Sequence, residues 1–431
     1  MNNVLEQHNL FTVQFICLLA VHGQRSPFGA GSWSQIRYAV TLAIDLGLHR
    51  KEAKGTGNRT SRETELRRRV FWSCYCLDRM TSITLGRSFA IGDRDINVEI
   101  PSQIPDTFDL TEVAASRPSE HSWTNILPFI HITKLCRIQS EIHRLVLRVD
   151  KDILSLSGQE HTRLETKLTF VGQELDAWAE NVPKAPTNGE KVTWMYDNEA
   201  SYHDCSGYFN LQYHKTLLML FTALLPGFEQ GDSRIRAGAL SAVATCMAYK
   251  RFHQHKVLSY TTIALHSCFV AGLTLIYCLS RDKTLFDFKA LEATHACTQA
   301  LTIFAEKWPG AAKYRDVYDG LSGRVLSGLI NQQWRDDAPN HPGESRPQAV
   351  GFEREAFDEV HQDAPGGWQV GAMLDELAEA GITGDVYGSS ADAMSTTGYA
   401  FDGQYPLPTD VMPGQAFGDQ SFVNLQGAEE W

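Results

Sequence analysis

Apolar residues recur three and four positions apart along most of the first 335 residues, and no other feature of the sequence restricts the fold as tightly. The spacing is plain in LFTVQFICLLAV (10–21), IRYAVTLAIDLGL (36–48), LPFIHITKLCRIQSEIHRLVL (127–147), LETKLTFVGQELDAWAENV (164–182), LQYHKTLLMLFTALL (211–225) and ALSAVATCMAYKRF (239–252). Each such run puts one apolar stripe on a helix, which must be covered by another helix. Turn-forming stretches such as IPSQIP (100–105) and PKAPTNG (183–189) separate the runs, and no hairpin dipeptide joins alternating β-branched segments. No period of roughly 20–50 residues marks a solenoid. The expected fold is all-α, an irregular multi-helix array over residues 1–335.

Beyond that point, over 336–431, Pro, Gly, Asp, Ser and Gln dominate. The net charge of −12 sits there: 14 acids and no Lys or Arg follow from Glu355 onward. The preceding 354 residues carry 39 basic and 37 acidic side chains, a balance of +2. A near-neutral body is not the strongly basic surface needed to neutralise many phosphates. Such a tail buries too little apolar surface to offset its ordering entropy, so it is expected to be disordered. Helical periodicity survives in it only at GAMLDELAEAG (371–381).

The uncharged run from Val257 to Ser280 is long enough to span a bilayer, yet Thr261, Thr262, His266, Ser267 and Thr274 interrupt it; a buried core helix is expected, and no membrane partner. The nine cysteines are odd in number and scattered, which suggests a reducing, intracellular setting.

ETELRRRVFWSCYCLDR (63–79) carries an arginine triplet into an aromatic patch. Thr60 and Glu63 fit a capping box. Glu63 with Arg67, and Glu65 with Arg69, stand four apart with the acid first, the favourable order on a helix. Leu66, Val70, Cys74 and Leu77 form an apolar stripe widened by Phe71 and Tyr75. Cys74 and Cys76 fall on opposite sides of such a helix and cannot share a metal. The arginines are therefore expected to be structural, tied to carboxylates rather than to nucleic acid.

Three blocks in order then resemble the middle homology region of fungal zinc-cluster transcription factors: SWSQIRYAVTLAIDLGLHR (32–50), the arginine helix, and LGRSFAIGDRDINVEIP (85–101). The signature positions carried over are Gly47, Leu48, His49, Arg50, Glu63, Arg67, Arg68, Arg69, Trp72, Asp78, Arg79, Gly86, Arg87, Asp93, Asp95 and Pro101. Gly86 suits the residue just past a helix end, and Arg87, Asp93, Arg94 and Asp95 are placed to pair back onto the arginine helix. The resemblance covers roughly residues 8–330.

It implies a nuclear transcription regulator with a regulatory helical body. A small-molecule effector held between helices, a second copy of the chain and a coactivator are the partners expected. The coactivator would meet the acidic-aromatic tail, with Met373, Leu374, Leu377, Trp368, Phe401 and Phe422 as candidate activation anchors. In the family, zinc belongs to an amino-terminal six-cysteine cluster. No Cys-x-x-Cys occurs here, so no cofactor is expected in this chain, nor DNA binding by this chain alone; the cluster either was lost or lies upstream of Met1.

No catalytic motif is present: His-Glu-x-x-His, a Walker loop and Gly-x-Ser-x-Gly are all missing. DRDIN (93–97) imitates a calcium loop, but Val98 replaces its glycine and Ile104 its bidentate acid. No enzyme is expected. The rival reading is a helical small-molecule-sensing or partner-titrating protein that never binds DNA.

Overall fold

A computed structural model describes residues 7–26, 31–51, 61–104, 124–147, 153–184, 205–256, 258–337 and 367–380. Among these residues every regular element is helical: α1 (Leu10–Arg25), α2 (Ser32–Asp45), α3 (Ser61–Leu85), α4 (Leu127–Val146), α5 (Gly158–Glu180), α6 (Cys205–Phe221), α7 (Ser233–Gln254), α8 (Thr262–Arg281), α9 (Phe288–Lys307), α10 (Ala312–Asp337) and α11 (Gly367–Glu379), with four short 3-10 turns.

Local chemistry sets the starts of several helices. Asn9 accepts the Thr12 N–H, Asp232 that of Arg234, Thr261 that of Ala264 and Asp287 that of Ala290, each satisfying an orphan donor of a first turn. Two helices end on left-handed glycines. Gly47 has φ 69° and Gly86 φ 64°. The Leu48 N–H reaches back to the Ala43 carbonyl, and the Arg87 N–H to Ser82, both at 2.8 Å, closing Schellman motifs. The Thr60 half of the expected capping box lies outside the described residues.

The helices enclose two apolar clusters. One gathers α1 to α4 with Leu175 and Trp178 of α5 and Phe209 of α6; the other gathers α5 to α11 with the end of α4. At the centre of the second is α8, packed against α7, α9, α10 and α11 and touching α1, α3 and α6. Sixteen of its twenty residues are buried. This is the uncharged run of the sequence, and its length and hydropathy would fit a bilayer, but its partners are other helices of the chain.

Gly272 lets α8 approach α9 and α10. A Cβ built there would lie 2.6 Å from Tyr318 Cε2 and nearer still to Cys297 Sγ. No residue larger than glycine leaves that contact intact.

The apolar spacing near the C-terminus also resolves into a helix, with a consequence composition did not foretell. Within the stretch expected to stay unfolded, α11 lies on the body: Val370, Met373, Leu374 and Leu377 are 0–2% exposed. The Tyr277 hydroxyl donates to Glu376 at 2.6 Å and Arg281 lies 3.3 Å from the same carboxylate. Three of the proposed activation anchors are thus covered by this chain itself. Phe401, Phe422 and the Trp368 side chain lie outside the description.

His131 and His266 are buried in these cores and His143 is half-buried. Burial holds His131 and His143 down to about 4 and His266 to about 3. His131 stacks on Trp178 with centroids 4.4 Å apart. Because the unfolded chain takes up protons near pH 6.5 and the folded one does not, this stability is whole above that pH and drains as pH falls toward 4.

Two outcomes are expected in urea titrations. Gly272→Ala lowers the unfolding free energy by about 1–3 kcal/mol through overpacking; an unchanged midpoint would mean the α8 contact has slack. Between pH 6.5 and 4.5 the unfolding free energy of the unmodified chain falls steeply, and His131→Leu makes that slope shallower, whatever it does to stability at neutral pH.

Candidate functional site: the arginine helix and its loop

The signature positions converge on α3 and the segment that follows it. Arg79, on the second turn from the end of α3, is 0% exposed. A guanidinium so placed needs acceptors for its donors. Its Nη1 donates to Asp78 Oδ2 at 2.6 Å, its Nη2 to the Ile91 carbonyl at 2.7 Å, and its Nε to Ser140 Oγ of α4 at 3.2 Å. Asp93 Oδ2 stands 3.5 Å from Nη2. The rings of Tyr75 and Phe89 flank the guanidinium carbon, each centroid 4.1 Å away.

The acids around it are equally committed. Asp78 accepts the Ala90 N–H at 3.0 Å. Burial raises its pKa, against the pull of Arg79 and of that backbone donor. Asp93 accepts the Tyr75 hydroxyl at 2.5 Å and that of Ser140. The loop is thereby laced to both α3 and α4 through one cation.

About three turns earlier the triplet behaves similarly. Arg69 Nε donates to Glu65 at 3.0 Å and its Nη2 to the Ile104 carbonyl at 2.5 Å, while Glu65 also accepts the Ser102 N–H. Arg68 pairs with Glu99 at 2.5 Å, and Arg67 caps the Leu46 carbonyl at 2.6 Å, where α2 ends. Glu99 is shared with Lys51, whose hydrogen bond, followed by the charge of Arg68, lowers its pKa. Trp72 Nε1 donates to the Glu99 carbonyl at 2.9 Å.

The corner after α2 joins the same lattice. Leu48 is buried, and the His49 carbonyl accepts the Asn97 and Val98 N–H groups. Arg50 Nε donates to His49 Nε2 at 3.0 Å, so that nitrogen is an acceptor; burial, then Arg50, lowers the His49 pKa. Pro101 is buried at the end of the loop.

The expected structural role of the arginines is met with differences in detail. Arg87 lies over the Trp33 ring of α2 at 4.5 Å rather than on α3, and Arg94 and Asp95 face solvent, as does Glu63. Leu66 is 37% exposed, off the buried stripe that Val70, Cys74 and Leu77 do form. The larger Phe71 and Tyr75 turn that stripe toward themselves. Cys74 meets Cys17 of α1 at 3.4 Å and Cys76 meets Thr133 of α4 at 3.6 Å, on opposite sides. Among the described residues no three His, Cys, Asp or Glu side chains gather as metal ligands.

Sequence reasoning missed Ser140 and Phe89, which complete the Arg79 cage. Neither stands at helical spacing from it, and only the phenylalanine's place between two signature residues hinted at it. Chemically the cluster is a brace. The guanidiniums of Arg67, Arg68, Arg69 and Arg79 are engaged by internal acceptors.

Residues 4–180 match the family model described as the fungal specific transcription factor domain. A positive regulator of purine utilization from Emericella nidulans is 23% identical over 369 residues, 72% of this chain and 35% of that protein. Pyrimidine pathway regulatory protein 1 of Saccharomyces cerevisiae is 25% identical over 302 residues, 67% of this chain and 30% of the relative. A negative regulator of pleiotropic drug resistance from Candida glabrata, STB5, reaches 39% identity over 106 residues, 24% of this chain and 10% of that one. The chain thus spans about a third or less of the length of these relatives. No solved structure matches it.

Removing one partner of the Arg79 cage strands buried charge. Arg79→Met is expected to cost about 3–5 kcal/mol in chemical denaturation, and Arg79→Met with Asp78→Asn less than the sum of the two single changes. Additive losses would show that the two side chains do not act as a pair.

Proposed function

We infer, from the premise that residues 4–180 belong to the fungal specific transcription factor domain family, that this chain is the regulatory and effector portion of a fungal transcription regulator. The relatives named above are transcriptional regulators, a class that works by binding and recruitment rather than by turnover of a substrate. Their family places the site of action in the nucleus, and we extend that location to this chain.

One observation carries the reading furthest. The apolar face of α11, which has the spacing of a coactivator-binding helix, is held on α8 by Val370, Met373, Leu374 and Leu377. A 13-residue helix is marginal by itself, so its order depends on the surface it packs against. In this proposal the body restrains an activation segment by occupying its anchors, and release exposes them to a coactivator within an acidic, aromatic tail. Base reading would be supplied by another module or a partner protein, because the arginine cluster is spent on internal bonds.

The rival, a sensor that titrates a partner regulator and never meets DNA, shares the docked helix. It gains support from the cavity described below. A reading frame upstream of Met1 encoding six cysteines at zinc-cluster spacing would favour the first.

The test is a reporter assay with a foreign DNA-binding domain. Residues 355–431 fused alone should activate transcription, the full chain should activate weakly, and Leu377→Asp in the full chain should restore much of the difference. Silence of the 355–431 fusion removes the activator reading.

A further inference from the structure

Where α3, α4, α6 and α8 meet lies a cavity of about 80 Å³. A single water needs about 10–15 Å³ on the same measure, so there is room for a compact molecule of several non-hydrogen atoms. Met80, Leu218, Ile263 and Val270 supply apolar wall. Half-buried Met80, Lys215 and Ile263 stand where it opens toward solvent.

Two nitrogens in this cavity lack partners. Lys215 of α6 makes no hydrogen bond or ion pair among the described residues, and no carboxylate lines the cavity. His266 of α8 is 6% exposed and its Nε2 has no hydrogen-bond partner. Burial brings Lys215 down to about 8, and burial together with the Lys215 charge keeps the His266 ring neutral. The nearby polar groups are otherwise occupied: Gln139 donates to Thr216 at 2.9 Å, and Ser267 accepts the Tyr249 hydroxyl at 3.0 Å.

A desolvated ammonium without a counter-ion is the costly state; an anion brought from outside completes it. The volume and the single cation fit a monoanion, whereas a phosphate dianion would call for more positive charge. The apolar walls ask for a hydrocarbon portion. We propose that this cavity binds a small organic carboxylate, its charged end on the Lys215 ammonium, a polar atom on His266 Nε2, and a short aliphatic body against Met80, Leu218, Ile263 and Val270. The proposal rests on the regulatory reading for its purpose, since the same α8 carries α11 about three turns further on, but not for its test.

The full chain is titrated with sodium salts of straight-chain carboxylates from acetate to hexanoate, with the matching primary amides and inorganic phosphate as controls, following thermal unfolding and calorimetry. At least one carboxylate should raise Tm saturably while its amide and phosphate do not. Lys215→Met should abolish the shift and leave the unliganded chain at least as stable, because an unpaired, partly desolvated charge is gone. Should that variant fold poorly, Ile263→Phe, which narrows the mouth, should move the preference to shorter acids. Absence of a saturable carboxylate shift, an equal response to amides, or an unaltered response in both variants overturns the proposal. A chain that activates the reporter yet binds no carboxylate loses the cavity alone; one that binds yet stays silent in the 355–431 fusion loses the activator reading alone.

Discussion

A guanidinium shut away from water organises the first half of this molecule. Arg79 cannot be buried without acceptors, and the groups that serve it come from three places: Asp78 on its own helix, Ser140 on α4, and Ile91 and Asp93 on the loop. Each must be in position for the others to be satisfied. The desolvation cost of such a cluster offsets most of its Coulombic gain, so its value lies in specifying one arrangement more than in raw stability. The loop from Leu85 to Pro101 has only a three-residue 3-10 turn, Asp93–Asp95, and is held instead by side-chain bonds from Trp72, Tyr75, Arg79 and Ser140.

Much of this was readable in the residues. The stripe on α3, the turn at Gly86 and the opposed directions of Cys74 and Cys76 follow from helical geometry alone. The Glu65–Arg69 pair followed from spacing. What could not be read was which distant residue closes each valence: Phe89 and Ser140 meet Arg79 only because the chain folds back, and Arg67 found the Leu46 carbonyl through the packing of α2 on α3. The α11 segment showed its helical spacing, but composition over 336–431 put it in an unfolded tail. What spacing could not show is that the side chains at 370, 373, 374 and 377 find a partner surface on the body. Lys215 left a sequence signal, a lone cation inside LQYHKTLLML, which gains meaning only beside His266.

Function gathers around α8. Its amino-terminal half lines the cavity, and its carboxy-terminal half holds Glu376 of α11 through Tyr277 and Arg281. Arg281 also donates to the Phe228 carbonyl at 2.7 Å, so the loop ahead of α7 is tied to the same end. The arginine lattice is built on α3, the helix that also supplies Met80, Ile83 and Thr84 to one wall of the cavity. Brace, cavity and docked helix are thus successive layers of one packing problem.

The missing side chain at Gly272 limits how these layers can move. With the Cys297 sulfur and the Tyr318 ring filling the notch, a screw-like slip of α8 by one residue, about 1.5 Å of rise with about 100° of turn, would bring Ala271 or Leu273 into a space that admits no carbon beyond Cα. That screw motion is therefore closed to this helix. Whatever passes between its two ends has to travel as a tilt or a roll shared with α9 and α10, a three-helix wedge pivoting about a single keyed point.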